Sequence, residues 1–159
     1  CTAVADHKRN VTDAQMEALA ANGGVLGITF VADFVDAAFN EACSQVSTLA
    51  EMLAGLEAKY GDDLEARAVA AYRAFLEPPP DCPPLPTLER VLDHIDHALR
   101  VMGDEHVALG SDFDGTNCFP KGLGDAALMG AVTRGLLGRG HSADVVEGVL
   151  GLNALRVLV

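Results

Sequence analysis

Two short apolar runs constrain this chain more than anything else in it. Val25-Leu26-Gly27-Ile28-Thr29-Phe30-Val31 and His106-Val107-Ala108-Leu109-Gly110-Ser111 are nearly continuous in apolar character, as strands buried on both faces are. Helical patterns lie before, between and after them, and that alternation predicts an α/β architecture with parallel strands. Two parallel strands cannot by themselves close a barrel or build an open sheet. The remaining strands are therefore expected outside this chain.

The helical patterns carry their own start and stop signals. Thr12 followed by Gln15 is a capping-box signature, and the stripe of Met16, Leu19 and Ala20 stops at Asn22-Gly23-Gly24. Residues 44–77 are rich in Ala, Leu and Glu and break near Gly61-Asp62-Asp63, which predicts two helices in a hairpin. Pro78-Pro79-Pro80 and Pro83-Pro84 then form a stiff connector, so 44–86 reads as a helical excursion from the main fold. Thr87 caps a predicted helix through Met102, with Leu88, Val91, Leu92, Ile95, Leu99 and Met102 on one face. After the second strand come helices over 125–137, over 142–150 with Ser142 as N-cap, and over 153–158.

Composition excludes several functions. With 23 acidic against 11 basic residues the formal charge is -12, and the cations are scattered, so a nucleic-acid partner is not expected. Asp33 and Asp36 interrupt the longest apolar stretch well short of the roughly 20 residues a membrane helix needs. The start does not resemble a signal peptide. The chain reads as soluble, with the cytoplasm the favoured compartment. Cys1, Cys43, Cys82 and Cys118 form no Cys-x-x-Cys pair and are expected to be reduced thiols. The first of the 159 residues is Cys1 rather than Met, which we read as the interior of a longer protein.

The local signal for chemistry is Gly110-Ser111-Asp112-Phe113-Asp114-Gly115-Thr116, two carboxylates where a buried strand ends. In parallel α/β folds ligands bind at the carboxyl ends of strands, so Asp112, and after it Asp114, are candidate functional acids; a turn-capping role is the competing reading, and Gly115 favours such a turn. A calcium loop counted from Asp112 needs Gly and Glu where Asn117 and Leu123 stand. The Asp-x-Asp-Gly-Thr letters also match haloacid-dehalogenase-like phosphatases. That motif opens its domain and needs a downstream Lys and an acidic pair for magnesium, and no acidic pair follows Thr116.

A third pattern covers far more of the chain. Asp6-His7-Lys8-Arg9-Asn10-Val11-Thr12-Asp13, Gly23-Gly24-Val25-Leu26-Gly27, Asp93-His94-Ile95-Asp96-His97, Gly110-Ser111-Asp112-Phe113-Asp114-Gly115 and Asn153-Ala154-Leu155-Arg156-Val157-Leu158 occur in this order. Between the last two stand Gly122-Leu123, Leu136-Leu137 and Arg139-Gly140. Together they resemble the renal (membrane) dipeptidase family of zinc metallopeptidases. Only residues from about 36 to 86 lack matching motifs.

The resemblance implies that residues 1–159 are the C-terminal portion of a TIM-barrel-like (β/α)8 metal-dependent hydrolase, a fold that needs about 250 residues. It implies hydrolysis of the peptide bond of dipeptides with two zinc ions, whose family ligands (a His-x-Asp pair, a bridging Glu and two histidines) have no counterpart here and are expected upstream. This chain alone is then expected to be inactive, and the alternative is a non-catalytic fragment that only completes a barrel. Two site residues carry over. Arg9 matches the arginine that holds the dipeptide's terminal carboxylate, and Asp112 matches the acid that faces the substrate amine and moves a proton to the leaving nitrogen. His94 and His97, one helical turn apart, could share an ion by spacing, but Ile95 sits on the apolar stripe and the pair is read as structural. His7, His106 and His141 are read as ordinary. A homodimer is compatible with all of this, and whether the excursion is a dimer contact or a lid stays open.

Overall fold

Thr12 opens the first helix as its spacing to Gln15 predicts. Its hydroxyl accepts from Gln15 N at 3.3 Å, and the Gln15 side-chain oxygen accepts from Thr12 N at 2.9 Å. This reciprocal box satisfies two main-chain donors at the start of α1 (Asp13–Ala21). The computed structural model describes residues 1–44, 49–76 and 83–159. After α1 come β1 (Leu26–Ile28), α2 (Ala32–Val35), α3 (Ala37–Cys43), α4 (Leu49–Tyr60), α5 (Leu64–Leu76), α6 (Leu88–Met102) and β2 (Val107–Leu109). A 3-10 turn (Ala126–Leu128), α7 (Gly130–Gly138), α8 (Ala143–Glu147), a π-helical turn (Gly148–Leu152) and α9 (Asn153–Leu158) complete the order.

The two strands pair in parallel with Leu26 opposite Val107, Gly27 opposite Ala108 and Ile28 opposite Leu109. Leu26 N donates to His106 O at 2.8 Å, Gly110 N to Ile28 O at 2.9 Å and Phe30 N to Ser111 O at 3.3 Å. Parallel neighbours need a long crossover, and here it is everything from α2 to α6. Because side chains alternate along a strand, Leu26, Ile28, Val107 and Leu109 enter the core together. Gly27 and Gly110 lie on the opposite face and are exposed. A Cβ on Gly110 would stand 3.3 Å from the Gly27 carbonyl carbon, closer than side chains normally approach. The sequence predicts burial on both faces; the structure buries Ile28 and Val107 on one and Ala108 on the other, and leaves Gly27 and Gly110 exposed.

The core forms around α6, whose Val91, Leu92, Ile95, Ala98, Leu99 and Met102 are all buried. Met16 of α1, Val132 and Leu136 of α7, and Val146 and Val149 pack into the same cluster. Gly135 permits the close approach of α7, since a Cβ there would meet Leu92 Cδ1 at 2.5 Å. Asn153 is the polar residue that ties the last helix to β2. Its amide donates to Val107 O at 2.8 Å and Asp104 O at 2.6 Å, carbonyls that would otherwise be left without a partner at the edge of the strand.

Several boundaries differ from the sequence-based expectations. The apolar run through Val31 gives only a three-residue strand, and the chain turns into α2 and α3, which periodicity did not suggest. Asp36 sets the start of α3 by accepting from Phe39 N at 2.9 Å. Thr87 precedes α6 with extended backbone but makes no side-chain cap. It forms a parallel bridge with Lys121, which donates from N to Pro86 O at 2.7 Å. Ser142 does cap α8, accepting from Val145 N at 3.3 Å. The excursion contains the predicted hairpin as α4 and α5, which pack on each other. The triple-proline stretch of the connector lies outside the described residues.

Candidate active site

Asp112 follows β2 where the chain must leave the sheet. Its φ of 63° places it in the left-handed region, which Asp tolerates better than most residues. Gly115 N donates to Asp112 O at 3.0 Å and closes the turn. The carboxylate folds over Gly115 so closely that a Cβ there would lie 2.1 Å from Asp112 Oδ1. The turn therefore needs glycine at 115 to hold the acid where it is. Asp112 and Asp114 are both exposed. Asp114 lines a cavity of about 670 Å³ together with Phe113, Thr116, Phe119, Lys121 and, from α5, Tyr72.

Arg9 lies alongside the neighbouring strand. It lines a small cavity of about 80 Å³ with Asn10, Thr29, Val35, His94 and others. Arg9 N donates to His7 Nδ1 at 3.2 Å, and its guanidinium lies over the Phe34 ring, 5.3 Å from the centroid. Among the described residues no side chain accepts a hydrogen bond from that guanidinium. Arg9 and Asp112 make no direct contact: Arg9 lines the cavity along β1, from Leu26 to Thr29, and Asp112 follows the end of β2. The bond from Phe30 N to Ser111 O holds the carboxyl ends of the two strands together.

The family model for membrane dipeptidases, peptidase family M19, matches residues 1–159. This chain belongs to that family. Dipeptidase verJ of Clonostachys rogersoniana is 31% identical over 158 residues, covering 99% of this chain and 29% of the relative. A metallopeptidase of Rhodobacter sphaeroides, solved with a phosphinate mimic of the dipeptide L-Ala-D-Ala, superposes with a TM-score of 0.64 at 22% identity, over 99% of this chain and 33% of that one. The probable dipeptidase PvdM of Pseudomonas aeruginosa gives a TM-score of 0.63 at 25% identity, over 97% and 41%. The chain thus spans well under half the length of these relatives. Its fold is that of part of an M19 dipeptidase, and the phosphatase reading of Asp112-Phe113-Asp114-Gly115-Thr116 falls away.

In this M19 chain the Asp93-His94-Ile95-Asp96-His97 motif is a set of tertiary ties. His94 is 2% exposed; its Nε2 donates to Val35 O at 3.1 Å and its Nδ1 accepts from Cys1 N at 2.7 Å. Burial, the largest cause, pushes its pKa below the ordinary histidine value, so the ring is neutral. His97 Nε2 reaches instead to Asp13 Oδ1 at 2.7 Å and joins α6 to α1. The two histidines therefore face different partners and share no ion between them. His106 and His141, without partners nearby in sequence, find them across the fold: His106 Nδ1 donates to Gly24 O at 2.8 Å, and His141 Nε2 to Asp96 Oδ1 at 2.7 Å.

Asp96 also accepts from Arg139 Nη1 at 2.6 Å, while Arg139 reaches Asp93 at 3.0 Å and Glu89. Burial alone would raise the Asp96 pKa; the hydrogen bonds from His141 and Arg139 outweigh it and hold the carboxyl below its ordinary value. A depressed carboxylate contributes stability that is complete above its unfolded pKa, about 3.9, and is lost as pH falls through the folded value. Urea midpoints measured from pH 6 down to pH 3 are therefore expected to fall more steeply below about pH 4 in the wild type than in Asp96→Asn. Parallel curves for the two proteins would remove this role from Asp96.

Sequence reasoning left two contributors to the site unassigned. Asn10, beside Arg9, donates to Ala5 O at 2.9 Å and Phe34 O at 2.7 Å. Phe34, beneath the guanidinium, stands in a helix that the sequence did not announce. The Arg-Asn dipeptide was the signal for the first; nothing local signals the second, because the contact spans distant parts of the chain.

Proposed function

We propose that residues 1–159 are the C-terminal part of a single (β/α)8 barrel domain of a metal-dependent dipeptidase, to which this chain contributes Arg9 and Asp112. What carries the reading is that Asp112 follows the end of β2 and Arg9 lines a cavity along the paired β1, in a chain that matches the M19 family over its whole length. A sheet of only two parallel strands cannot close a barrel, which supports its continuation by other strands. Among the described residues no three His, Cys, Asp or Glu are grouped to hold a metal ion. We assign the ligands of two zinc ions to upstream polypeptide.

The chemistry left to this chain is binding and proton transfer. A guanidinium with free in-plane donors matches a carboxylate in a two-point fork, which fixes the free carboxyl end of the substrate and limits it to short peptides. As the peptide C–N bond breaks after water adds to the carbonyl, the leaving nitrogen needs a proton. Asp112, exposed on a glycine-closed turn, is the group to carry it. Tyr72 of α5 lines the cavity beside Asp114, which favours a lid over a dimer contact for the helical excursion.

Zinc content and hydrolysis test the assignment together. The 159-residue chain expressed alone is expected to bind no zinc and to cleave no dipeptide. A protein that includes the upstream segment should do both. Stoichiometric zinc on the isolated chain, or a longer protein that takes up zinc yet leaves dipeptides intact, would overturn it.

A further inference from the structure

The geometry points to Phe34 as a positioning residue that orients the Arg9 guanidinium for the substrate carboxylate, an inference that rests on the reading of Arg9 given above. The segment that bears Arg9 curls around this one ring. The His7 imidazole stacks on it with centroids 4.6 Å apart and planes 29° from parallel, and His7 Nδ1 accepts from Arg9 N. The Arg9 guanidinium then comes back over the ring at 5.3 Å.

Phe34 is itself anchored from two sides. It stands in α2, a helix of four residues whose carbonyls find few helical N–H groups to accept from. Two side chains from distant segments take the carbonyls of 34 and 35 in succession: Asn10 Nδ2 donates to Phe34 O at 2.7 Å, and His94 Nε2 donates to Val35 O at 3.1 Å. Asn10 is the immediate neighbour of Arg9. One amide thus fixes the base of the arginine and the main chain of the ring on which the arginine rests.

Contact with an aromatic face is compatible with carboxylate binding because the two use different parts of the group. The ring attracts the cation as a whole, whereas the five N–H donors point outward in the guanidinium plane. A long exposed side chain held in this way loses less rotamer freedom when substrate arrives, and the saving falls on affinity rather than on turnover. Leucine at 34 keeps most of the bulk of a half-buried side chain but has no π face; tyrosine keeps the face.

In the full-length enzyme, Phe34→Leu is expected to raise KM for a dipeptide about two- to five-fold, the scale of an exposed cation–π contact, with kcat unchanged. Phe34→Tyr should restore the wild-type KM. In an Arg9→Ala background Phe34→Leu should add nothing. If Arg9→Ala raises KM but Phe34→Leu does not, or raises it equally with Arg9 absent, the positioning role is overturned and the Arg9 reading stands. If Arg9→Ala itself leaves KM unchanged, the Arg9 reading fails first and this inference goes with it.

Discussion

Under the proposed proton-transfer role, replacing Asp112 with asparagine in the full-length protein is expected to cut turnover of a dipeptide roughly 100-fold or more, with little change in KM. The substitution keeps shape and removes chemistry. Asparagine tolerates the left-handed backbone that Asp112 adopts, and its amide fits where the carboxylate lies over Gly115. What it cannot do is take up and release a proton. The loss should therefore fall on kcat, and the limb of the pH–rate profile that reports the acid should disappear. Asp114→Asn is the internal control, since that carboxylate lines the larger cavity two residues further along the turn. Near-normal turnover in Asp112→Asn, or an equal loss in Asp114→Asn, would move the proton-transfer role elsewhere.

Much of this site was legible because its signals are local. A strand that runs without interruption into Gly110-Ser111-Asp112 announces an acid at a strand end, and Thr12 and Ser142 announce helix starts through the residue three positions on. The apolar stripe of α6 is a periodicity, and it is found buried where expected. The failures are tertiary. Thr87 has the residue type of a cap, but its backbone is recruited by Lys121 from beyond β2. The apolar letters of 25–31 are nearly continuous, yet the strand spans only Leu26–Ile28 and Gly27 within it stays exposed. α2 is a single turn, too short to show a period, and α3 begins only because Asp36 caps it. His141 and Asp96 stand 45 positions apart, so no window of sequence pairs them.

Arg9 was proposed only through the family resemblance, and its surroundings could not be read from sequence; under the proposed role its removal gives the second large effect. Arg9→Ala is expected to raise KM for dipeptides about 10- to 100-fold while kcat changes little. Hydrogen bonds to a charged group contribute about 1.5 to 3 kcal/mol, and each 1.4 kcal/mol is a factor of ten. A carboxylate clamp is made in the ground state and kept in the transition state, so the loss is one of uniform binding and appears in KM. The decisive comparison is between a dipeptide and its C-terminal amide. The wild type should discriminate strongly against the amide, because Arg9 then has no charge to pair, and Arg9→Ala should treat the two nearly alike. A variant that keeps the full preference for the free carboxylate would show that another cation reads that end of the substrate. Arg9→Lys should fall between, since an ammonium keeps the charge but loses the planar fork and much of its hold on the Phe34 face.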